Sequence, residues 1–581
     1  MDVFALFSTR IAAALHVLYP ELDKALLSRF VVEPPRDAGH GDLSTNAAML
    51  VAKPLGKNPR EVATALAEHF THDHDVASVE VAGPGFLNFR LADHVWHQVL
   101  KSIGADGNDF GRSNVGAGEK VNIEYVSANP TGPMHVGHTR GAVYGDTLAS
   151  LMAFTGYDVT REYYINDAGG QVDVLARSAL LRYREALGET IEIPPGLYPG
   201  DYLVPVGKAL AEEFGDRLLK DGDEAVLPLV KERVLAAMLD LIKADLAKLG
   251  IKHDVFFSER TLHGQGGDID LTLAWLRDRG MVYQGRLEAP KGKTPEDWED
   301  REQTLFRAKD YGDDTDRALI KSDGSYTYFA ADIAYHRNKY LRGFNHMVNV
   351  LGADHSGYIK RLQAAVKAVS LGEAEIDVRI CQLVRLLRNG EPVKMSKRSG
   401  DLVTLADLVD EVGPDATRFM LLFRRNDAAM DFDFALVKEQ TRDNPVFYVQ
   451  YAHARAFSVF RTAERDLPAL DLSDSAIKGA DLDLLVHPAE LDLIKVLAAW
   501  PRTVAAAAVA HEPHRIAFYL HDVAAAFHGF WAKGKEEPQL RFVNVEQSKL
   551  TLARLAMVDA VRQVLLNGLT LLGVSAPEEL S

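Results

Sequence analysis

Residues 121–138 constrain the chain most. Val121-Asn122-Ile123-Glu124-Tyr125-Val126-Ser127 is rich in β-branched and aromatic residues, and Ala128-Asn129-Pro130-Thr131-Gly132-Pro133 holds two prolines and a glycine. After Met134-His135-Val136-Gly137-His138, the residues Tyr144, Leu148, Leu151 and Met152 recur at helical spacing. The order is strand, tight turn, helix. Such a turn delivers His135 and His138 to the first turn of a helix, where unpaired backbone N–H groups and the positive end of the helix dipole favour a phosphate. The two imidazoles share one face, and Gly137 between them leaves room for a flat base against the backbone. The pattern predicts a cradle for phosphate and adenine. A shared metal ion is the other chemistry that histidines at helical spacing allow, but no third ligand stands nearby in a recognisable pattern. With 20 His and 44 Gly in the chain, chance supplies a His-x-Gly-His roughly 0.05 times, so the motif alone is suggestive and needs a second signal.

That signal is Val393-Lys394-Met395-Ser396-Lys397-Arg398-Ser399-Gly400, which follows the turn-like Arg388-Asn389-Gly390-Glu391-Pro392. Lysines three apart in a glycine-flanked loop are point charges on flexible stems that can swing onto a polyphosphate. Standing alone, such a run reads as a solvated basic loop. Together and in this order, His135-Val136-Gly137-His138 and Lys394-Met395-Ser396-Lys397-Arg398 resemble the two signatures of class I aminoacyl-tRNA synthetases. The resemblance implies a ligase that uses ATP, with Mg²⁺ carried mainly by the phosphates, and places Asn129, Thr131, Gly132, His135, Gly137, His138, Gly352, Asp354, His355, Lys394, Met395, Ser396 and Lys397 around the nucleotide.

At 581 residues the chain exceeds one core, and about three to five domains are expected. No run approaches the ~18 to 20 apolar residues of a membrane span, and the N-terminus lacks a basic-then-apolar signal, so a cytoplasmic protein is expected. The single Cys381 excludes a disulfide framework and a multi-cysteine zinc knuckle, and no zinc is expected. The net charge of −17 does not exclude nucleic acid, because only the contacting face must be positive.

Residues 1–115 read as a separate α+β segment, with helices near Ile11–Leu18 and Val62–Phe70 and strand-like runs at 79–81 and 85–89. His40-Gly41-Asp42-Leu43-Ser44-Thr45-Asn46 and Gly83-Pro84-Gly85-Phe86-Leu87-Asn88-Phe89 resemble the N-terminal additional domain of arginyl-tRNA synthetases, which touches the tRNA elbow. Residues 116–400 alternate strand and helix signals, a second strand at 158–165 among them, which implies a Rossmann-like, mostly parallel sheet with ligands at the strand ends. A charged helical stretch at 180–275 reads as an insertion into it. The acidic stretch 294–300 and Asp313-Asp314 read as solvated loops. Residues 401–450 connect to an all-α bundle at 451–581, whose opening at Phe447–Arg455 resembles the anticodon-binding domain of the same family. Tyr451, Arg455 and Arg461 are candidates to stack on or bind tRNA, although most aromatics there are expected in the core. His511, His514, His521 and His528 suggest one helical face, read as surface and not as a metal site.

A pocket for a guanidinium, a planar cation with five donors, needs carboxylates and flat aromatic walls. Glu124, Tyr328 and Asp332 supply that chemistry if they converge; each alone could be a surface carboxylate or a core tyrosine. By the resemblance to arginyl-tRNA synthetases, Glu124, Ser127 and Asn129 hold the arginine backbone and orient the pocket, while Tyr328 and Asp332 face the guanidinium. Some members place a lysine where this chain has Gly132 and have a degraded lysine loop; the loop here is intact, which assigns Lys397 to pyrophosphate. Asp354 and His355 are expected at the adenosine. The resemblance implies formation of arginyl-adenylate from L-arginine and ATP, transfer to tRNA(Arg), catalysis by His135, His138, Lys394 and Lys397, and a monomer without membrane contact. The rival readings are a synthetase for another amino acid, a small adenylyltransferase, or an inactive synthetase-like RNA-binding protein.

Overall fold

The structure, a computed structural model, describes residues 1–287, 300–393 and 403–580. The chain divides into two compact units, one of Asn114–Gln440 with Glu512–His514, the other of Met1–Ser113, Thr441–His511 and Arg515–Ser581.

The first unit is built on five parallel strands: β1 (Lys120–Glu124), β2 (Asp158–Ile165), β3 (Val255–Ser258), β4 (His346–Gly352) and β5 (Glu375–Cys381), in the spatial order β5-β4-β1-β2-β3. Four of the five residues of β1 are buried, as expected for a strand covered on both faces. Helix α1 (Val136–Phe154) buries residues all round, including Val143, Tyr144, Leu148 and Met152, and packs on β2 and β4. Helix α2 (Gln171–Ala186) follows β2, and α3 (Tyr328–Leu341) and α4 (Ile359–Val369) flank β4. The chain leaves β1 toward β2 and β3, then returns to β4 on the other side, so the reversal in strand order lies between β1 and β4, where such sheets bind ligands.

The span read as an insertion needs correcting: β3, an edge strand of the core sheet, lies inside 180–275. Its four residues are too short a run to stand out beside the helix Asp223–Lys248. The inserted helices Val204–Phe214 and Asp223–Lys248 form a core of their own with α2 through Tyr183, Leu210, Val230 and Val234. Asp313 is also not solvated. It is buried and accepts two bonds from Arg317, at 2.7 and 2.8 Å. Of the acidic stretch 294–300, only Asp300 falls within the described residues.

In the second unit, a four-stranded antiparallel sheet and the helices Val3–Leu18 and Asp93–Asp106 are joined to the C-terminal helices Pro445–Asp466, Pro488–Ala498, Trp500–Ala510, His514–Glu536 and Ser548–Leu572. The N-terminal segment is therefore not separate. Buried Trp500 donates to the Phe110 carbonyl at 2.8 Å, and Asn567 donates to the Gly107 carbonyl at 2.9 Å. Two stretches, Pro488–Ala510 and Ser548–Leu572, prove long and apolar enough to cross a membrane. The second is the bundle's centre, with Val558, Val561, Leu565 and Leu569 fully buried. His511 and His514, expected on the surface, are buried as well.

Arg418 anchors the first unit. Nearly fully buried, it donates to Asp146 on α1 at 2.7 Å and to the Leu249 carbonyl at 2.8 Å, tying α1 to the end of the long inserted helix. Arg418→Ala leaves Asp146 with the more distant Arg161 at 3.8 Å and should cost about 3 kcal/mol in denaturant unfolding. A loss below about 1 kcal/mol would mean that this pair is effectively solvated.

Candidate active site

The turn after β1 has the geometry that its prolines and glycine demand. His135 is the N-cap of α1 (φ −110°, ψ 168°), its Nδ1 accepts from the Gly137 N–H at 3.1 Å, and the His138 ring reaches back to the His135 N–H at 3.4 Å. Histidines thus form a reciprocal cap, with their rings stacked at 3.9 Å. A Cβ at Gly137 would meet the His135 ring at 2.8 Å, so the glycine makes room for the imidazole itself. The turn is held from outside by the inserted helices: Asp245 accepts from the Met134 N–H at 3.1 Å, and the Tyr202 hydroxyl donates to the Thr131 carbonyl at 2.6 Å. The Tyr202 ring fills the space over Gly132, where a Cβ would lie 3.0 Å from it. A side chain at the position where other sequences carry lysine would have to displace that tyrosine.

The end of the lysine loop meets this turn. The Val136 N–H donates to the Val403 carbonyl at 3.3 Å and the Leu405 N–H to the Met134 carbonyl at 2.8 Å, an antiparallel bridge of His135 with Thr404. On the entry side, Asn389 (φ 52°) and Gly390 (φ 79°) make the tight hairpin between Val384–Arg388 and Glu391–Pro392. Lys394, Met395, Ser396 and Lys397 themselves lie outside the described residues.

Beside the turn, the C-terminal ends of β1, β2 and β3 present Glu124, Tyr164 and Glu259, and the first turns of α3 add Asp332. Burial, then the charge of Glu124, pushes Asp332 up to about 7; Glu259 adds to this, while Arg361 and Lys339 oppose it. Burial and the same carboxylates raise the Tyr164 hydroxyl far above its ordinary range, so it stays protonated and donates to Glu259. Buried Asp167 fixes the corner that carries Glu259, accepting from Ser258 Oγ at 2.6 Å and from the Arg260 N–H at 3.0 Å. Ser127 Oγ donates to Glu124 at 3.1 Å and accepts from the Tyr164 N–H at 3.1 Å. To do so, Val126 and Ser127 adopt φ of 72° and 40°. For a β-branched residue this costs on the order of 1–3 kcal/mol, which the surrounding bonds must hold in place.

The other expected residues are more open. Asn129 is exposed and donates to Gln171 at 3.0 Å. Tyr328 is 68 % exposed with Lys321 Nζ 5.2 Å from its ring centre, whereas Tyr164 is the tyrosine that the carboxylates Glu259 and Asp332 act on. Gly352 ends β4, and Asp354 and His355 after it are exposed, 3.5 Å apart. In the second unit, Arg455 lies between the Tyr451 and Trp531 rings, at 4.7 and 4.5 Å from their centres, and bonds His528 at 3.0 Å, while exposed Arg461 pairs with Glu579 at 3.2 Å. A cavity of about 770 Å³ opens beside Trp531, lined also by Thr462, Lys535, Arg541 and Asn544. Sequence reasoning missed Glu259, Tyr164 and Trp531. For Glu259 a signal existed, since it stands two residues after the apolar run Val255-Phe256-Phe257. Among the described residues, one group of metal-ligand type occurs, His74, Asp75 and His94, where Asp75 is already paired with Arg10 at 2.8 Å.

Three family descriptions match the chain: "Arginyl tRNA synthetase N terminal domain" over residues 5–91, "tRNA synthetases class I (R), catalytic domain" over 100–193 and 296–432, and "DALR anticodon binding domain" over 449–580. The stretch between the two catalytic pieces holds the inserted helices and β3. The arginine–tRNA ligase of Methylorubrum extorquens (strain PA1) is 60% identical over 588 residues, covering 100% of both chains. A solved putative arginyl-tRNA synthetase from Campylobacter jejuni is 32% identical with a TM-score of 0.73, covering 84% of this chain and 100% of that one. The Thermus thermophilus arginyl-tRNA synthetase, at 21% identity, shares the fold over 100% of both chains with a TM-score of 0.70. With family matches along its length and a full-length relative at this identity, the chain belongs to the arginyl-tRNA synthetases, class I ligases that use ATP to join arginine to tRNA.

Proposed function

We propose that the slot at the ends of β1, β2 and β3 reads the arginine guanidinium, with Asp332 and Glu259 as its anionic partners and Tyr164 as a flat wall. The observation that carries this is the convergence of carboxylates and a protonated tyrosine next to the histidine turn, the chemistry a planar cation requires. Tyr328, one helical turn before Asp332 on the same face, is placed to close over the side chain. Glu124, Ser127 and Asn129 take the amino-acid backbone.

The arginine carboxylate then attacks the α-phosphorus of ATP in line. The bond to the bridging oxygen breaks and pyrophosphate leaves, giving arginyl-adenylate. A hydroxyl of the terminal tRNA ribose, the 2′-OH in class I enzymes, attacks the acyl carbon and releases AMP. No covalent enzyme intermediate is needed, so rate comes from positioning and from positive charge around the phosphorus. From one side His135 and His138, whose Nδ1 atoms accept backbone N–H groups, offer their Nε2–H donors, and the α1 dipole adds positive potential. Lys394 and Lys397 supply it from the other, on a loop whose exit is bonded to that turn. Thr131, Gly132, Gly137, Gly352, Asp354, His355, Met395 and Ser396 border the nucleotide. The turn offers imidazole N–H donors, which suit phosphate oxygens and not a hard dication, so Mg²⁺ is carried on the polyphosphate. The mechanism calls for no zinc. In the second unit, Tyr451, Arg455 and Arg461 with the cavity beside Trp531 take unpaired tRNA bases, and residues 1–115 contact the tRNA elbow. Every described residue assigned to amino-acid activation belongs to one unit, which supports a monomer; its place of work is the cytoplasm, and tRNA assists the first step.

ATP–pyrophosphate exchange with tRNA present, run over a panel of amino acids, tests this reading: arginine alone should sustain exchange. His138→Ala or Lys397→Ala should lower adenylate formation about 100- to 1,000-fold with tRNA affinity intact; equal loss of both in a folded variant would contradict the assignment. The environment of Asp332 also sets a pH dependence. Burial and Glu124 push its carboxyl up to about 7, and a bound guanidinium favours the ionised form, so protons compete with arginine below that pH. The KM for arginine should be about tenfold higher at pH 6 than at pH 8, with the KM for ATP unchanged. An arginine KM that is flat across this range would remove Asp332 from the slot.

A further inference from the structure

The floor beneath the slot holds a cation to which the steps above assign no role. Lys339 on α3 is completely buried. Its ammonium donates to Glu124 Oε2 at 2.6 Å and to Asn349 Oδ1 at 3.2 Å, and lies 4.4 Å from the centre of the Tyr335 ring. The bonds beyond it have only one consistent direction. Lysine cannot accept, so the Asn349 oxygen faces it, and the Asn349 amide nitrogen then donates to His336 Nε2 at 3.1 Å. The other imidazole nitrogen, Nδ1, meets the Asp332 backbone carbonyl at 2.7 Å, and a carbonyl can only accept, so Nδ1 carries the proton. Burial, then the Lys339 charge, pushes His336 down to about 4, so the ring is neutral and Nε2 is free to accept. A continuous chain of donors therefore runs from the Glu124 carboxylate through Lys339, Asn349 and His336 to the backbone of Asp332.

We propose that Lys339 is a positioning residue for amino-acid binding: it fixes the Glu124 carboxylate against Ser127, and the Asn349–His336 relay locks that pose to the helical turn that carries Asp332. The inference rests on the slot being the arginine site, as argued in the preceding subsection. Without Lys339, Glu124 would sit in a dry floor without its cation and could swing into the slot. Asp332 would lose one of the two positive groups that face it. The charged and titratable groups around Asp332 are Glu124 on β1, Tyr164 on β2, Glu259 after β3, Arg361 on α4, and His336 and Lys339 on its own helix.

The test measures ATP–pyrophosphate exchange, with tRNA present, on full-length Lys339→Met, Asn349→Ala and Asp332→Asn. Lys339→Met should raise the KM for arginine about tenfold or more while leaving the KM for ATP within about twofold. It should also move the acidic limb of kcat/KM for arginine upward by roughly half a pH unit to one unit, because an opposing charge has gone. Asn349→Ala should do the same on a smaller scale, about threefold in KM. It decides the matter if Lys339→Met fails to fold, because it leaves the ion pair in place. If Asp332→Asn leaves the arginine KM unchanged, the reading of the slot falls and the relay with it. If Asp332→Asn raises that KM but the folded Lys339 and Asn349 variants shift both substrates alike, or leave the pH limb where it was, the positioning role is wrong and the slot stands.

Discussion

Two backbone hydrogen bonds hold the catalytic unit to its purpose: Val136 N–H to the Val403 carbonyl and Leu405 N–H to the Met134 carbonyl. They join segments remote in sequence into a short antiparallel bridge across His135. Because a bridge of this kind leaves little freedom, the chain entering from the lysine loop must pass the N-terminus of α1, where the helix dipole concentrates positive potential. Asp245 and Tyr202 fasten the same turn from the inserted helices, so the phosphate cradle is held by elements of three separate parts of the chain.

The slot beside it is an electrostatic balance in a low-dielectric setting. Glu124 and Glu259 at the ends of β1 and β3 and Asp332 in the first turns of α3 act on one another's charge, a costly arrangement unless cations or protons compensate. Lys339 compensates the first, Tyr164 hydrogen-bonds the second, and the third resolves the conflict by holding its proton up to about pH 7. On the proposed reading, a guanidinium replaces that proton. The left-handed backbone at Val126 and Ser127 belongs to the same logic, since strain of this kind persists only where surrounding bonds impose it, and those bonds run to Glu124 and to the strand that carries Tyr164.

What could be read in the sequence was whatever is local. The strand, turn and helix of residues 121–154 follow from β-branched runs, prolines and a 3.6-residue period, and the fold class and family followed from two motifs in order. Glu124 and Asp332, whose charges act on one another in the structure, could be singled out because guanidinium chemistry and the resemblance named the same types of residue. Glu259 escaped because β3 is four residues long and sits beside a 26-residue charged helix that dominates any window. Tyr164 escaped because alternation within a parallel strand does not say which tyrosine ends up beside Glu259 and Asp332. Tertiary context also overrode local reading at Asp313 and His514, whose polarity suggested solvent, and at Trp500 and Phe110, whose contact makes one unit of the two ends of the chain.

The most direct measurement is an experimental structure with tRNA and a non-hydrolysable arginyl-adenylate analogue. The account predicts the guanidinium within hydrogen-bonding distance of Asp332 and Glu259, the adenosine over Gly137 between the stacked histidines and the end of β4, and Lys397 on the phosphate side of the same ligand. An analogue bound with its side chain away from Asp332, or histidines and lysines opening onto different surfaces, would contradict it.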